Sequence, residues 1–389
     1  NNFLFIGYWL STKMALFRPL SIGQRELTHR LLMGPMTRTR AHPVTLAPYD
    51  LNADYYAARS TQGGLVLTEG TPVELSHVGY ARQPGLWSKE QVQGWRMVSD
   101  RVHERGSQLW MQLMHAGRAS HPSLTNGSAP LSAYSKDAAP GRTFLADGTE
   151  VSLGTPRVAT GADLEQVRDE LASGAERAIQ DAGMDGVQLH FANSYLLHEM
   201  LSTQTNLRTD HYGGEDRLRW PLEVIDAVIE RVGADRVSIR ISPGTTYGAI
   251  QETETQVDAT YPRFLSEVAS RHLGFVEVAD WNNDPDTGER TLDRDLFDMA
   301  RKQLGPNTPL VGNGGFTAES AEEAVREGRV DAVSFSSAWL THPDFFERVC
   351  NKAPIDYNLA YQHMDLWYGP VCTTNQPNRI DDAKGYTDW

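Results

Sequence analysis

The chain has 389 residues, with 36 Lys and Arg against 50 Asp and Glu and a net charge of -14. Nucleic acid and anionic membranes both demand a basic face, so this balance excludes them and leaves a small molecule as the expected partner. A hydrophobic content of 40% with nine tryptophans supplies a large core, and the length suits one α/β barrel.

The first residues, Phe3 to Leu10, form an apolar run with no basic flank and no cleavage signal, too short to span a bilayer. Met14 opens Met-Ala-Leu-Phe-Arg-Pro-Leu, so 1–13 read as an extension and 14–389 as a single domain. Strands are then expected at Leu31–Met36, Gly64–Thr68, Gln108–Met114, Gly186–His190, Arg236–Ser242, Gly274–Ala279, Pro309–Gly312 and Asp331–Ser336. Helical periodicity falls between them, at Lys89–Arg105, Asp163–Ala182, Leu218–Val232 and Ala318–Glu327, with Gly183, Gly233 and Gly328 as closing residues. Eight strands alternating with helices predict a parallel sheet closed into a (β/α)8 TIM barrel. A doubly wound open sheet is the alternative, disfavoured because no GxGxxG follows the first strand. Gly117 to Gly161, after the third strand, is a long Pro-, Ser- and Gly-rich loop suited to a lid. The tail from Lys352 to Trp389 is rich in Tyr and Trp and is expected to fold back over a barrel end. Cys350 and Cys372 lie outside any metal or disulfide spacing, which fits a reducing, cytoplasmic setting and no metal.

The fourth strand ends in His190-Phe191-Ala192-Asn193-Ser194-Tyr195. Polar residues at a strand end are costly to bury unless they meet a ligand or one another, and in a parallel barrel that end carries the chemistry. Two donors and a phenol suit a site that grips a carbonyl oxygen and moves a proton; the alternative is a satisfied core histidine.

Several segments together resemble the flavin-dependent old yellow enzymes (ene-reductases). They are Leu31 to Ala41, Trp110 to Arg118, His190 to Tyr195, Asn206 to Gly214, Arg236 to Pro243 and Gly385 to Asp388, in the family's order. The resemblance implies that Thr37, Gly70, Gln112 and Arg240 line an FMN ring and that Gly314 and Gly315 border its phosphate. It also implies that His190 and Asn193 hold a substrate carbonyl, that Tyr195 supplies a proton, and that Tyr368 borders the substrate. Where the family carries a Gly-Arg phosphate clamp, this chain has Ser336-Ser337. Phe191, Ser194 and Met114 are further departures, and Phe191, Met114, Tyr368 and Arg240 are taken as substrate-facing.

Losing a charge-assisted contact to a dianion costs about 1.5–3 kcal/mol. The resulting expectation is a redox-neutral epimerase or isomerase acting beside a conjugated carbonyl of a polyketide-like secondary metabolite, with FMN absent or weakly bound. The alternative is an FMN-dependent ene-reductase fed by NADPH. A third reading, a non-catalytic binding protein, is disfavoured by the presence of His190, Asn193, Tyr195 and Arg240.

Overall fold

Eight parallel strands pair edge to edge and close on themselves in this computed structural model, which describes residues 14–245, 248–282, 289–369 and 382–389. They are β1 (Leu31–Met33), β2 (Leu65–Leu67), β3 (Gln108–Met114), β4 (Gly186–Phe191), β5 (Val237–Ile241), β6 (Phe275–Ala279), β7 (Leu310–Asn313) and β8 (Ala332–Phe335). Closure comes from the β8–β1 pairing, Val333 to Leu31 through Phe335 to Met33. The fold is thus the expected TIM barrel, with strand bounds displaced by at most three residues from the sequence reading. The extension 1–13 and Cys372 lie outside the described residues.

Side chains alternate across each strand. In β5, Val237, Ile239 and Ile241 face the surrounding helices, while Ser238 and Arg240 face the barrel axis. The lower interior is apolar: Leu32, Leu65, Leu67, Trp110, Phe275, Val311 and Ala332 form one buried cluster. Ile22 and Leu27, from the hairpin Leu20–Ile22 with Arg25–Leu27, join that cluster and close the amino end of the barrel. Above it the interior turns polar, and that upper layer is where the site lies.

The outer helices are α1 (Asp50–Ala58), α2 (Lys89–Glu104), α3 (Gly161–Gln180), α4 (Arg219–Val232), α5 (Glu254–Ala269), α6 (Leu296–Leu304), α7 (Ala318–Arg326) and α8 (Phe345–Asn351). Capping boxes start α2, α3 and α5, where Ser88, Thr160 and Thr253 accept from backbone N–H groups three residues on. Gly233 ends α4 at φ 86°, a conformation that costs glycine nothing. The long loop after β3 carries a hairpin, Arg142–Phe144 with Glu150–Ser152, and a short parallel pairing of Leu131–Ser132 with Arg157–Val158. Tail residues return to the barrel: the Tyr386 ring stacks on Tyr55 of α1 at 4.0 Å, and Arg38, Arg40 and Arg59 donate to tail carbonyls. No helix among the described residues is long and apolar enough to cross a membrane.

Candidate active site

His190 is the last residue but one of β4 and pairs in register with Arg240 of β5, so both side chains project into the barrel near its carboxyl end. The chain then turns through Asn193 and Ser194, at φ 58° and 63°. Two consecutive non-glycine residues in the left-handed region store strain that neighbouring contacts must hold. Those contacts are present. Asn193 N donates to Ser242 Oγ at 3.1 Å, Ser194 N to His198 Nδ1 at 3.0 Å, and Ile250 N to Ser194 Oγ at 2.8 Å. Because His198 Nδ1 accepts, its proton sits on Nε2, 3.1 Å from Tyr261 Oη, and Tyr261 donates in turn to Glu252 at 2.8 Å. The turn is thereby tied to α5.

The turn delivers Tyr195 beside the histidine, with the two rings edge to face at 4.9 Å. The Tyr195 phenol lies 2.7 Å from that of Tyr80, whose ring stacks on Tyr368 at 6.4 Å. Met114 and Ala116 pack against Tyr195, and Gly70 abuts Met114, whose sulfur leaves no room for a Cβ there. His190 Nδ1 and Asn193 Oδ1 are buried without a hydrogen-bond partner. Native proteins rarely leave such atoms unmatched, so the pair marks a place for a ligand's polar atom. Burial, reinforced by the charge of Arg240 and by His198, holds the His190 imidazole well below its ordinary range. It is therefore a neutral ring, suited to donating a hydrogen bond and poorly suited to being a base near neutrality.

Beneath this mouth runs a closed polar layer. Gln112 Nε2 donates to Gln188 Oε1 at 2.8 Å, and Gln188 Nε2 to Glu277 Oε2 at 2.9 Å. Ser334 Oγ donates to Glu277 and accepts from Asn313 Nδ2 at 2.9 Å. Arg240 Nη2 donates to Asn313 Oδ1 at 2.9 Å, while Nη1 lies 2.7 Å from Glu277 Oε1. That second contact is an ion pair without an aligned N–H, and Nη1 has no hydrogen-bond partner. The Trp281 ring lies 5.5 Å from the Arg240 guanidinium carbon.

Of the residues expected from sequence, His190, Asn193, Tyr195, Arg240, Gln112, Gly70, Met114 and Tyr368 lie at the carboxyl end of the barrel. Thr37 sits in the loop after β1. Gly314 and Gly315 follow β7, and Ser336 and Ser337 follow β8, on adjacent strands. Phe191 is a correction. One residue on from His190 it points outward and packs on Phe264 of α5 at 5.6 Å, in the strand–helix core, so it does not face substrate. Tyr80, Trp281, Gln188, Glu277, Asn313 and Ser334 were not anticipated. The one available signal was Glu277, a carboxylate inside the apolar run Phe275-Val-Glu-Val-Ala279.

A parallel barrel with donors, a phenol and a guanidinium gathered at its carboxyl end has the arrangement of an enzyme's active site. The profile of the NADH:flavin oxidoreductase / NADH oxidase family matches residues 15–356, and the chain belongs to that family. It is 33% identical to the flavin oxidoreductase hxnT of Emericella nidulans over 98% of each chain. It is also 32% identical to the putative 12-oxophytodienoate reductase 3 of Oryza sativa subsp. japonica, over 96% of this chain and 92% of that one. Among solved structures it resembles morphinone reductase with a TM-score of 0.84 at 31% identity, covering 97% of this chain and 96% of that one. The old yellow enzyme homologue from Zymomonas mobilis gives the same TM-score at 30% identity, covering 96% and 99%. The family's flavin, not the redox-neutral expectation, is the more direct implication of these likenesses.

The residues present fit a flavin nucleotide, with one weakness. Gly315, at φ 65°, has nothing within 4 Å of where a Cβ would stand, so bare backbone faces open space at the end of β7. The Ser336 hydroxyl turns aside toward Gly34 and Pro35 O (3.4 Å), leaving that space clear. Unpartnered polar atoms on His190, Asn193 and Arg240 supply the ring end. Position 337 brings a hydroxyl and no cation.

Proposed function

We propose that this protein is a flavin-dependent, NAD(P)H-fed reductase of conjugated carbonyl compounds. The observation that carries the reading is the buried, unpartnered His190 Nδ1 beside the Tyr195 phenol, with the Asn193 amide, whose nitrogen is the donor, three residues on. His190 and Asn193 bind and polarise a carbonyl oxygen, and donors pre-aimed at a developing enolate stabilise it more than they stabilise the ground state. Tyr195 holds a proton for the carbon beside that carbonyl, and Tyr80, at 2.7 Å, is placed to replenish it. FMN would be held by Gln112, Gly70, Thr37 and Arg240 at its ring and by the backbone of Gly314 and Gly315 at its phosphate; it supplies the hydride when bound. The long loop after β3 and the aromatic tail support a substrate larger than a simple enone, in keeping with a secondary metabolite.

A second reading, a redox-neutral isomerase with little or no flavin, is favoured by two specific features. Ser336-Ser337 brings no charge to the phosphate end. Trp281 borders both Arg240, at 5.5 Å, and Gly314, where a Cβ would stand 3.0 Å from Trp281 Cδ1. One experiment separates the readings: incubate purified enzyme with 2-cyclohexen-1-one and NADPH in deuterated water. NADPH-dependent saturated product with one solvent deuterium next to the carbonyl is expected. Deuterated, isomerised product from a larger dienone without NADPH would transfer the conclusion to the isomerase, and no conversion of either kind would sink both.

A further inference from the structure

The ion pair under the mouth has a property that neither partner has alone. Glu277 and Arg240 expose 0% and 2% of their side chains, and no water layer separates Oε1 from Nη1 at 2.7 Å. Asn313 fixes the guanidinium from one side, while Gln188 and Ser334 fix the carboxylate from the other. A lone guanidinium acts on a nearby ligand as a full positive charge. A guanidinium locked to a carboxylate acts as a short dipole, and its pull on an anion falls off much faster with distance.

We propose that Glu277 is a positioning residue that cancels Arg240 toward an anionic conjugated ring at the barrel mouth, so that the site holds oxidised FMN in preference to its reduced anion. The inference rests on the flavin reading above. Arg240 stands in register with His190, so a ring that reaches the neutral imidazole also meets this dipole. No other carboxylate is bonded into the layer among the described residues: its remaining members are the amides of Gln112, Gln188 and Asn313 and the Ser334 hydroxyl. Removing the carboxylate while keeping its shape should therefore expose the full charge of Arg240.

The test compares wild type, Glu277→Gln and the double variant Arg240→Gln/Glu277→Gln. Oxidised FMN binding is followed by fluorescence quenching, and the midpoint potential of bound FMN by equilibration with a reference dye. Glu277→Gln should raise the affinity for reduced relative to oxidised FMN at least tenfold, a rise of about 30 mV for a two-electron couple. The double variant removes a net-neutral unit and should stay within about threefold of wild type, because the two substitutions are coupled rather than additive. An unchanged potential in Glu277→Gln overturns the proposal. If that single variant fails to fold, the double variant decides: tenfold weaker relative binding of reduced FMN than wild type would mean that Arg240 had acted uncancelled. Oxidised FMN that binds with an unmoved ratio refutes the role of Glu277 alone. Failure of every variant to bind oxidised FMN refutes the flavin reading and this inference with it.

Discussion

His190 works as a neutral donor because burial and the adjacent Arg240 charge make protonation expensive. His190→Ala and Asn193→Ala should each lower kcat/KM about a hundredfold, the usual loss for a removed oxyanion donor. The pH profile gives a finer check. If His190 were a base near neutrality, activity would fall as pH drops through about 6.5, the unperturbed imidazole value; a depressed value predicts no such limb from this residue. Tyr80→Phe should cut the protonation step about tenfold while leaving NADPH oxidation by the enzyme unchanged, read as a larger solvent isotope effect on turnover. Equal loss in both halves would assign Tyr80 to packing. Sequence reached His190, Asn193 and Tyr195 because they interrupt an apolar strand, where an unpartnered polar group is costly. It missed Tyr80, which lies in a loop where a tyrosine breaks no pattern, and misplaced Phe191, whose inward or outward direction depends on the residue at which β4 stops alternating.

The strand ends carry the next layer of control. After β8, Ser336 and Ser337 lead into the short helix Ser337–Thr341, whose start abuts the backbone of β1 through Gly34. Ser337→Arg should raise FMN affinity about tenfold or more, since a charge-assisted bond to a phosphate is worth about 1.5–3 kcal/mol. An unchanged dissociation constant would show that backbone and hydroxyl donors already saturate the phosphate. At the other end of the site, Tyr261→Phe removes the link between His198 and Glu252 that braces the left-handed Asn193-Ser194 turn. Its expected signature is a lower Tm with a raised KM, because both the buried acceptor and the turn lose support. The strands were legible from short apolar runs bounded by polar turns, and several helices from their period. Helix α5 was not: Pro262 lies inside it and hides the period, although Thr253 caps its start and five flanking apolar side chains, Val257, Tyr261, Phe264, Leu265 and Val268, bury one face. Of the polar layer, sequence offered only Gln112 and the odd carboxylate of Glu277, because Gln188, Asn313 and Ser334 join them only once the sheet has closed.

At the scale of the whole molecule, the barrel stores several imidazoles in places where they must stay neutral. Burial pushes His29 down to about 4 and His77 down to about 3, and holds His115 and His190 well below the ordinary range. His77 Nε2 lies 2.9 Å from Glu170, a contact that favours protonation, yet burial and the charge of Arg177 outweigh it. The sign of the consequence follows from which state takes up protons. As pH falls through about 6.5 the unfolded chain protonates these histidines while the folded chain does not, so stability present above that pH is lost on acidification. Each imidazole contributes at most about 1.4 kcal/mol per pH unit inside that window, a large slope against a total stability of about 5–15 kcal/mol. Glu69 and Glu199, raised by burial, take up protons more readily in the folded than in the unfolded chain and so work the other way where they titrate. Urea midpoints should therefore fall steadily from pH 7.5 through 6.5 to 5.5. His77→Gln, which keeps a donor for Glu170 but cannot titrate, should remove about one proton from that dependence, whatever it does to the absolute midpoint. A midpoint that stays flat across the range, or a His77→Gln slope identical to wild type, would mean that these rings are not held neutral in the folded barrel.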